Sequence, residues 1–180
     1  MDTMAELGRT MEGAGVVWSV CVSADGSRVF SGGEDNPMKV WDVATGACVQ
    51  TMRGHTESVY SVCVSADGSR LFSGGDDNTI KVWDVATGAC VQTLEGHTRC
   101  LNSVCVSADG SRLFSGGEDY TIKVWDVATG ACVQTLQGHT YWVNSVCVSA
   151  DGSRLFSGSY DKTIKVWDVA TGACVQTLEG

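Results

Sequence analysis

The chain repeats itself every 42 residues, a period that commits it to like supersecondary units stacked side by side. Trp41, Trp83, Trp125 and Trp167 each precede an Asp, and Ser-Ala-Asp-Gly-Ser-Arg recurs from Ser23, Ser65, Ser107 and Ser149. A unit this small cannot bury its apolar face alone, so its stability has to come from neighbours of the same kind.

Within a unit the pattern is that of strands. Ser58 to Ser65 alternates apolar and polar, Asp67-Gly68 supplies a tight hairpin turn, and Arg70 to Ser73 begins a second strand. Gly75-Asp76-Asp77-Asn78 turns the chain into Thr79 to Trp83, and Thr87-Gly88 turns it into a fourth strand, Ala89 to Leu94. These segments are short, rich in Val, Ile, Cys and Thr, and of period 2, which argues against helix. The expected fold is all-β, each unit a four-stranded antiparallel meander, and repeats of this length build solenoids or propellers.

Charge narrows the function classes. Twelve Lys and Arg against 21 Asp and Glu give a formal charge of −9, whose field repels phosphate backbones and anionic membrane surfaces. Nucleic acid and membrane are therefore not expected partners. Met1 to Thr10 has no basic segment followed by an apolar one, and no apolar run is long enough to cross a bilayer, so the expected location is the cytoplasm, with the nucleus also open. Eight of the nine cysteines form two repeat-generated sets, Cys21, Cys63, Cys105, Cys147 and Cys48, Cys90, Cys132, Cys174. With no C-x-x-C pair, and with apolar neighbours as in Val62-Cys63-Val64, both sets are expected to be reduced core residues; Cys100 stands outside the pattern.

Gly54-His55, Gly96-His97 and Gly138-His139 open units that close with Trp83-Asp84, Trp125-Asp126 and Trp167-Asp168. In these motifs the sequence from about residue 14 to 180 closely resembles the tryptophan-aspartate (WD) repeat family. The resemblance implies that each unit is one blade of a β-propeller and that about 4 to 8 blades pack face to face around a channel. Residues 14–54, 55–96, 97–138 and 139–180 would be the four blades. Residues 1–13 would be a tail: Thr10-Met11-Glu12-Gly13 matches Thr93-Leu94-Glu95-Gly96, as if it were the last strand of a missing blade. Since Cys174 to Leu178 already supply a fourth strand to the last blade, Met1 to Thr10 is expected to be mobile.

The resemblance also implies a buried hydrogen-bond chain in each blade, carried by His55, Ser73, Asp77 and Trp83, by His97, Ser115, Asp119 and Trp125, and by His139, Ser157, Asp161 and Trp167. The first unit keeps Ser31, Asp35 and Trp41 but has Glu12-Gly13-Ala14-Gly15 in place of Gly-His, one residue short, so its chain is expected to be incomplete and that blade the least stable. Ser, His and Asp together suggest a nucleophilic triad. Three equivalent copies, each completed by a Trp and none set in a Gly-x-Ser-x-Gly elbow, point to a core network and not to an enzyme. The three histidines fall in three different units, and the acidic hairpin residues Asp25, Asp67, Asp109 and Asp151 are turn formers, so neither metal nor cofactor is expected.

Copies this alike act as their own control, because positions free of the common structural demand are those where they differ. One variable cluster leads into the first strand: Gly15-Val16-Val17-Trp18, Glu57-Ser58-Val59-Tyr60, Arg99-Cys100-Leu101-Asn102 and Tyr141-Trp142-Val143-Asn144. Its third position stays aliphatic, as a core residue would. The other is the turn from strand two to strand three: Glu34-Asp35-Asn36-Pro37, Asp76-Asp77-Asn78-Thr79, Glu118-Asp119-Tyr120-Thr121 and Tyr160-Asp161-Lys162-Thr163. In a meander both clusters lie at one end of the blade, where the family resemblance implies the usual binding surface. The turns at the other end, Ala66-Asp67-Gly68 and Ala86-Thr87-Gly88 with their copies, do not vary.

Trp18, Tyr60, Tyr120, Tyr141, Trp142 and Tyr160, interleaved with Glu34, Glu57, Asp76 and Glu118, make an acidic, aromatic rim suited to Lys- or Arg-bearing proteins or peptides. Ser58, Arg99, Cys100, Asn102 and Asn144 complete the expected partner-binding face.

Four blades at about 45° each make half of an eight-membered ring and leave two apolar blade faces open. A seam burying about 1,000 Å², at about 25 cal/mol per Å², offers up to about 25 kcal/mol gross. Two such seams outweigh the roughly 4–15 kcal/mol that association costs. The leading expectation is a homodimeric eight-bladed propeller acting as an interaction scaffold. The alternatives are a closed four-bladed ring, and a fragment or amplification product of a longer protein with a structural role alone.

Overall fold

The computed structural model describes residues 15–180, and the expectations for the tail lie outside those residues. The first sheet holds β1 (Val17–Val22), β2 (Arg28–Gly33), β3 (Met38–Asp42) and β4 (Cys48–Met52). The second holds β5 (Val59–Val64), β6 (Arg70–Gly75), β7 (Ile80–Asp84) and β8 (Cys90–Leu94). The third holds β9 (Leu101–Val106), β10 (Arg112–Gly117), β11 (Ile122–Asp126) and β12 (Cys132–Leu136). The fourth holds β13 (Val143–Val148), β14 (Arg154–Ser159), β15 (Thr163–Asp168) and β16 (Cys174–Glu179). Each is an antiparallel meander in chain order.

The invariant turns show why the meander forms. Between β5 and β6 the Gly68 amide donates to the Ser65 carbonyl at 2.9 Å with Gly68 at φ 70°, a left-handed conformation that glycine adopts without a Cβ clash. Asp67 braces the same turn by accepting from Ser65 Oγ and from the Ser69 amide, at 2.6 and 3.0 Å. Between β7 and β8 it is Asp84, the Asp of the Trp-Asp pair, that accepts from the Thr87 amide and hydroxyl, both at 2.9 Å, while its other oxygen pairs with Arg70.

The sheets pack face to face. Phe72, Ile80, Val82 and Leu94 of the second sheet bury themselves against Leu101, Val104, Leu113 and Trp125 of the third, and the other two seams repeat this pattern. A polar key accompanies each seam: the amides of Val62, Val104 and Val146 donate to Ser19 Oγ, Ser61 Oγ and Ser103 Oγ of the preceding sheet at 3.0–3.1 Å. Glycine lets the sheets close up, since a methyl at Gly116 would lie 2.5 Å from Val143 Cγ1. The inner strands run side by side, β1 by β5, β5 by β9 and β9 by β13, but β13 does not pack on β1 in the same way. The described residues therefore form an open arc and not the closed four-bladed ring.

Two expectations need correcting. Cys48, Cys90, Cys132 and Cys174 are exposed, because the outermost strand of each sheet lies at the perimeter; β4, β8 and β12 bury only their last residue. In the other set Cys21, Cys63 and Cys105 are partly buried against a neighbouring sheet but Cys147 is exposed, since among the described residues no sheet packs over it. All nine thiols are unpaired. The aliphatic third position of the lead-in is fully buried at Val59, Leu101 and Val143, whereas Val17 is exposed because among the described residues no sheet packs on that side of the first.

Candidate functional site

In the second sheet Trp83 Nε1 donates to Ser73 Oγ at 2.8 Å, Ser73 Oγ lies 2.7 Å from His55 Nε2, and His55 Nδ1 lies 2.8 Å from Asp77 Oδ2. Donor counting orders the chain: Ser73 accepts from the indole and gives its own proton to Nε2, leaving Nδ1–H to donate to the carboxylate. Asp77 is further held by the Thr56 amide at 3.1 Å and the Thr79 hydroxyl at 2.7 Å. The structure brings His97, Ser115, Asp119 and Trp125 together in the same way, and likewise His139, Ser157, Asp161 and Trp167. Burial pushes the three carboxyls up, but the hydrogen bonds outweigh it, and Asp77, Asp119 and Asp161 sit well below the usual carboxylate range. In the first sheet Trp41 still donates to Ser31 at 2.8 Å, with no histidine beyond it.

This geometry does not suit nucleophilic chemistry. Ser73 and Ser115 are fully buried, and each Oγ already accepts an indole N–H, so an acyl group has no approach to it. Among the described residues no three of His, Cys, Asp and Glu gather closely enough to hold a metal ion.

The variable face is built at the opposite end from the invariant turns. Each turn from strand two to three is tied to its own lead-in, as Glu34 N to Val16 O, Asp76 N to Ser58 O, Glu118 N to Cys100 O and Tyr160 N to Trp142 O, at 2.9–3.0 Å. The inner strand carries an extra residue at Trp18, Tyr60, Asn102 and Asn144, where the pairing register shifts. A β-bulge there leaves the residue unpaired and re-aims its side chain.

The aromatic contacts fall into two groups. Trp18 meets Tyr60 edge-on with centroids 6.2 Å apart. Tyr120 stacks on Tyr141 at 5.6 Å, and Tyr141, Trp142 and Tyr160 lie 5.3–6.1 Å from one another. Between the groups, Asp76 accepts from Cys100 Sγ and, at 3.5 Å, from Tyr60 Oη. Burial raises the Cys100 thiol to about 12, and Asp76 adds to the shift. Glu34, Glu57, Arg99 and Asn144 are exposed, and Ser58 and Glu118 partly so. Asn102 instead donates across the seam to the Val143 carbonyl at 3.3 Å.

Three features escaped sequence reasoning. Asn78, Tyr120 and Lys162 are left-handed, at φ 62°, 67° and 68°, and of these only Asn signals it by residue type. The bulges leave no mark in the alternation. The bracing by Asp84, Asp126 and Asp168 could have been read from the invariant Asp-Val-Ala-Thr-Gly, where an Asx-type turn is the physical demand.

Four-stranded meanders packed face to face along their inner strands, each pinned by a buried polar chain, define a repeat protein built of β-propeller blades. A sequence profile of the WD domain, G-beta repeat, matches residues 5–42, 46–84, 88–126 and 130–168. The chain belongs to that WD-repeat family. The last three matches begin just before the outermost strand of one sheet and end with the third strand of the next. F-box/WD repeat-containing protein 7 of Drosophila melanogaster is 44% identical over 39 residues, 22% of this chain and 3% of that relative. No helix of the described residues is long and apolar enough to cross a membrane.

Proposed function

We propose that the chain is a non-catalytic protein-interaction scaffold, half of an eight-bladed ring formed with a second copy, whose variable face binds extended Lys- or Arg-bearing segments. The observation that carries this reading is the composition of that face. Six aromatic residues, four of them exposed, share it with Glu34, Glu57, Asp76 and Glu118. Rings supply area at low entropic cost and attract cations, and carboxylates steer them. Membership of a repeat family that generally serves as a scaffold supports the class. Nine unpaired thiols suit a reducing, intracellular compartment.

The test is a titration of fluorescent ten-residue peptides, one series Lys- and Arg-rich and one acidic, against the wild type and a Tyr60→Ala/Trp142→Ala variant. Binding of the basic series alone, weakened by 0.5 M salt and at least tenfold weaker in the variant, is the expected result. Equal binding of both series, or none, would leave the structural role alone standing.

A further inference from the structure

The two open faces of the arc are unlike, and each is the missing half of a seam that the molecule already contains three times. On the first sheet Val17, Val20 and Val22 are exposed, Val20 at 61%, whereas Val62, in the place equivalent to Val20, is 6% exposed beneath the preceding sheet. On the fourth sheet Phe156, Ile164 and Leu178 are exposed, Phe156 at 37%, whereas its equivalent Phe72 is 1% exposed beneath the following sheet. The polar key is split in the same sense. Ser145 stands where Ser19, Ser61 and Ser103 accept an amide from the next sheet, and Val20 stands where Val62, Val104 and Val146 donate one. Gly158 has open space where valine and leucine side chains of the next sheet crowd Gly32, Gly74 and Gly116.

We infer that a second copy of this chain docks head to tail, the fourth sheet of each on the first sheet of the other, so that two identical seams complete the ring. The inference rests on the two-copy assembly proposed above and specifies its contact. A like-on-like pairing, first sheet on first or fourth on fourth, would set valine against valine or Phe156 against Phe156 and leave both halves of the polar key unmatched.

The internal seams also say which side chains meet. Position 76 touches position 100 and position 102 bonds the carbonyl of 143, while Trp18 meets Tyr60. Carried 42 residues at a time to the open seam, these contacts set Tyr160 on the partner's Val16, the Asn144 amide on the carbonyl of the partner's Val17, and Asn144 beside the partner's Trp18. Trp18, Asn144 and Tyr160, which by residue type look like part of the partner-binding face, are then the rim of the self-association seam. The variable face is composite, with the partner's Trp18 next to the Tyr141, Trp142 and Tyr160 cluster.

Complementation tests this. Val20→Asp spoils the first-sheet face and Phe156→Lys the fourth-sheet face, both at exposed sites, and circular dichroism verifies that each variant folds. Light scattering on a sizing column should give the wild type near twice 19.0 kDa and each variant alone near 19.0 kDa. A mixture of the two should return to twice that mass, because a mixed pair keeps one native seam and brings the opposite charges together in the other. A wild type of two-copy mass whose variants do not complement, or of which one variant still pairs with itself, overturns the head-to-tail contact and leaves the assembly standing. A wild type of single-chain mass overturns both.

Discussion

At the scale of single residues the molecule is governed by hydrogen bonds that have no alternative. Ser115 serves the Trp125 indole and the His97 ring at once, so Ser115→Ala orphans two buried groups at about 1–3 kcal/mol each. Urea denaturation should show a loss of about 3 kcal/mol, with no change in the peptide binding of the variable face. The carboxylates set a pH limit. Asp77, Asp119 and Asp161 titrate below their unfolded value, near 3.9, so the stability they contribute is fully present above that value. It is lost as pH falls through the depressed folded values. Melting temperature should therefore drop on acidification below about pH 4, and Asp119→Asn should lower it at pH 7 while flattening the acid dependence.

At the scale of elements the position of a strand in its sheet decides the chemistry of its cysteine. The inner strands hold Cys21 and Cys105 against the next sheet, where burial pushes both thiols up to about 12. The outer strands leave Cys48, Cys90, Cys132 and Cys174 in solvent. Brief alkylation of the native protein followed by peptide mass spectrometry should modify the outer four and spare Cys21, Cys63 and Cys105. Equal labelling of the two sets would mean that the seams open readily. The same elements show where local patterning is silent, because Trp18, Tyr60, Asn102 and Asn144 sit on bulges whose extra residue the alternation of Ser58 to Ser65 does not reveal.

At the scale of the whole molecule the arc presents three satisfied seams and two open faces, which the proposed pairing of two copies would join into further seams of the same kind. Cys147 is exposed on the open face of the fourth sheet, in the place that Cys21, Cys63 and Cys105 hold against their neighbours. If two copies pair as proposed, it should be modified in the alkylation experiment at dilutions that separate them and protected at concentrations where they associate. An acidic, aromatic face on such a ring would be presented twice, once by each copy, which favours ligands with two basic segments through effective concentration.

The sequence alone determined the unit, a meander of period-2 strands with its turns, because these lie within 42 residues and depend on local spacing and turn chemistry; the Trp, Ser, His and Asp that pin it were legible only through the resemblance to WD repeats. It also marked the variable face, because near-identical copies expose the positions that the common fold leaves free. Only the tertiary structure decided what the units do to each other. Val20 and Val62 occupy the same place in nearly the same strand, yet one is exposed and the other buried. Phe156 and Phe72 differ in the same way. Burial between repeats is a property of the neighbour and not of the repeat, so copies alike in sequence cannot announce which of their faces is left open.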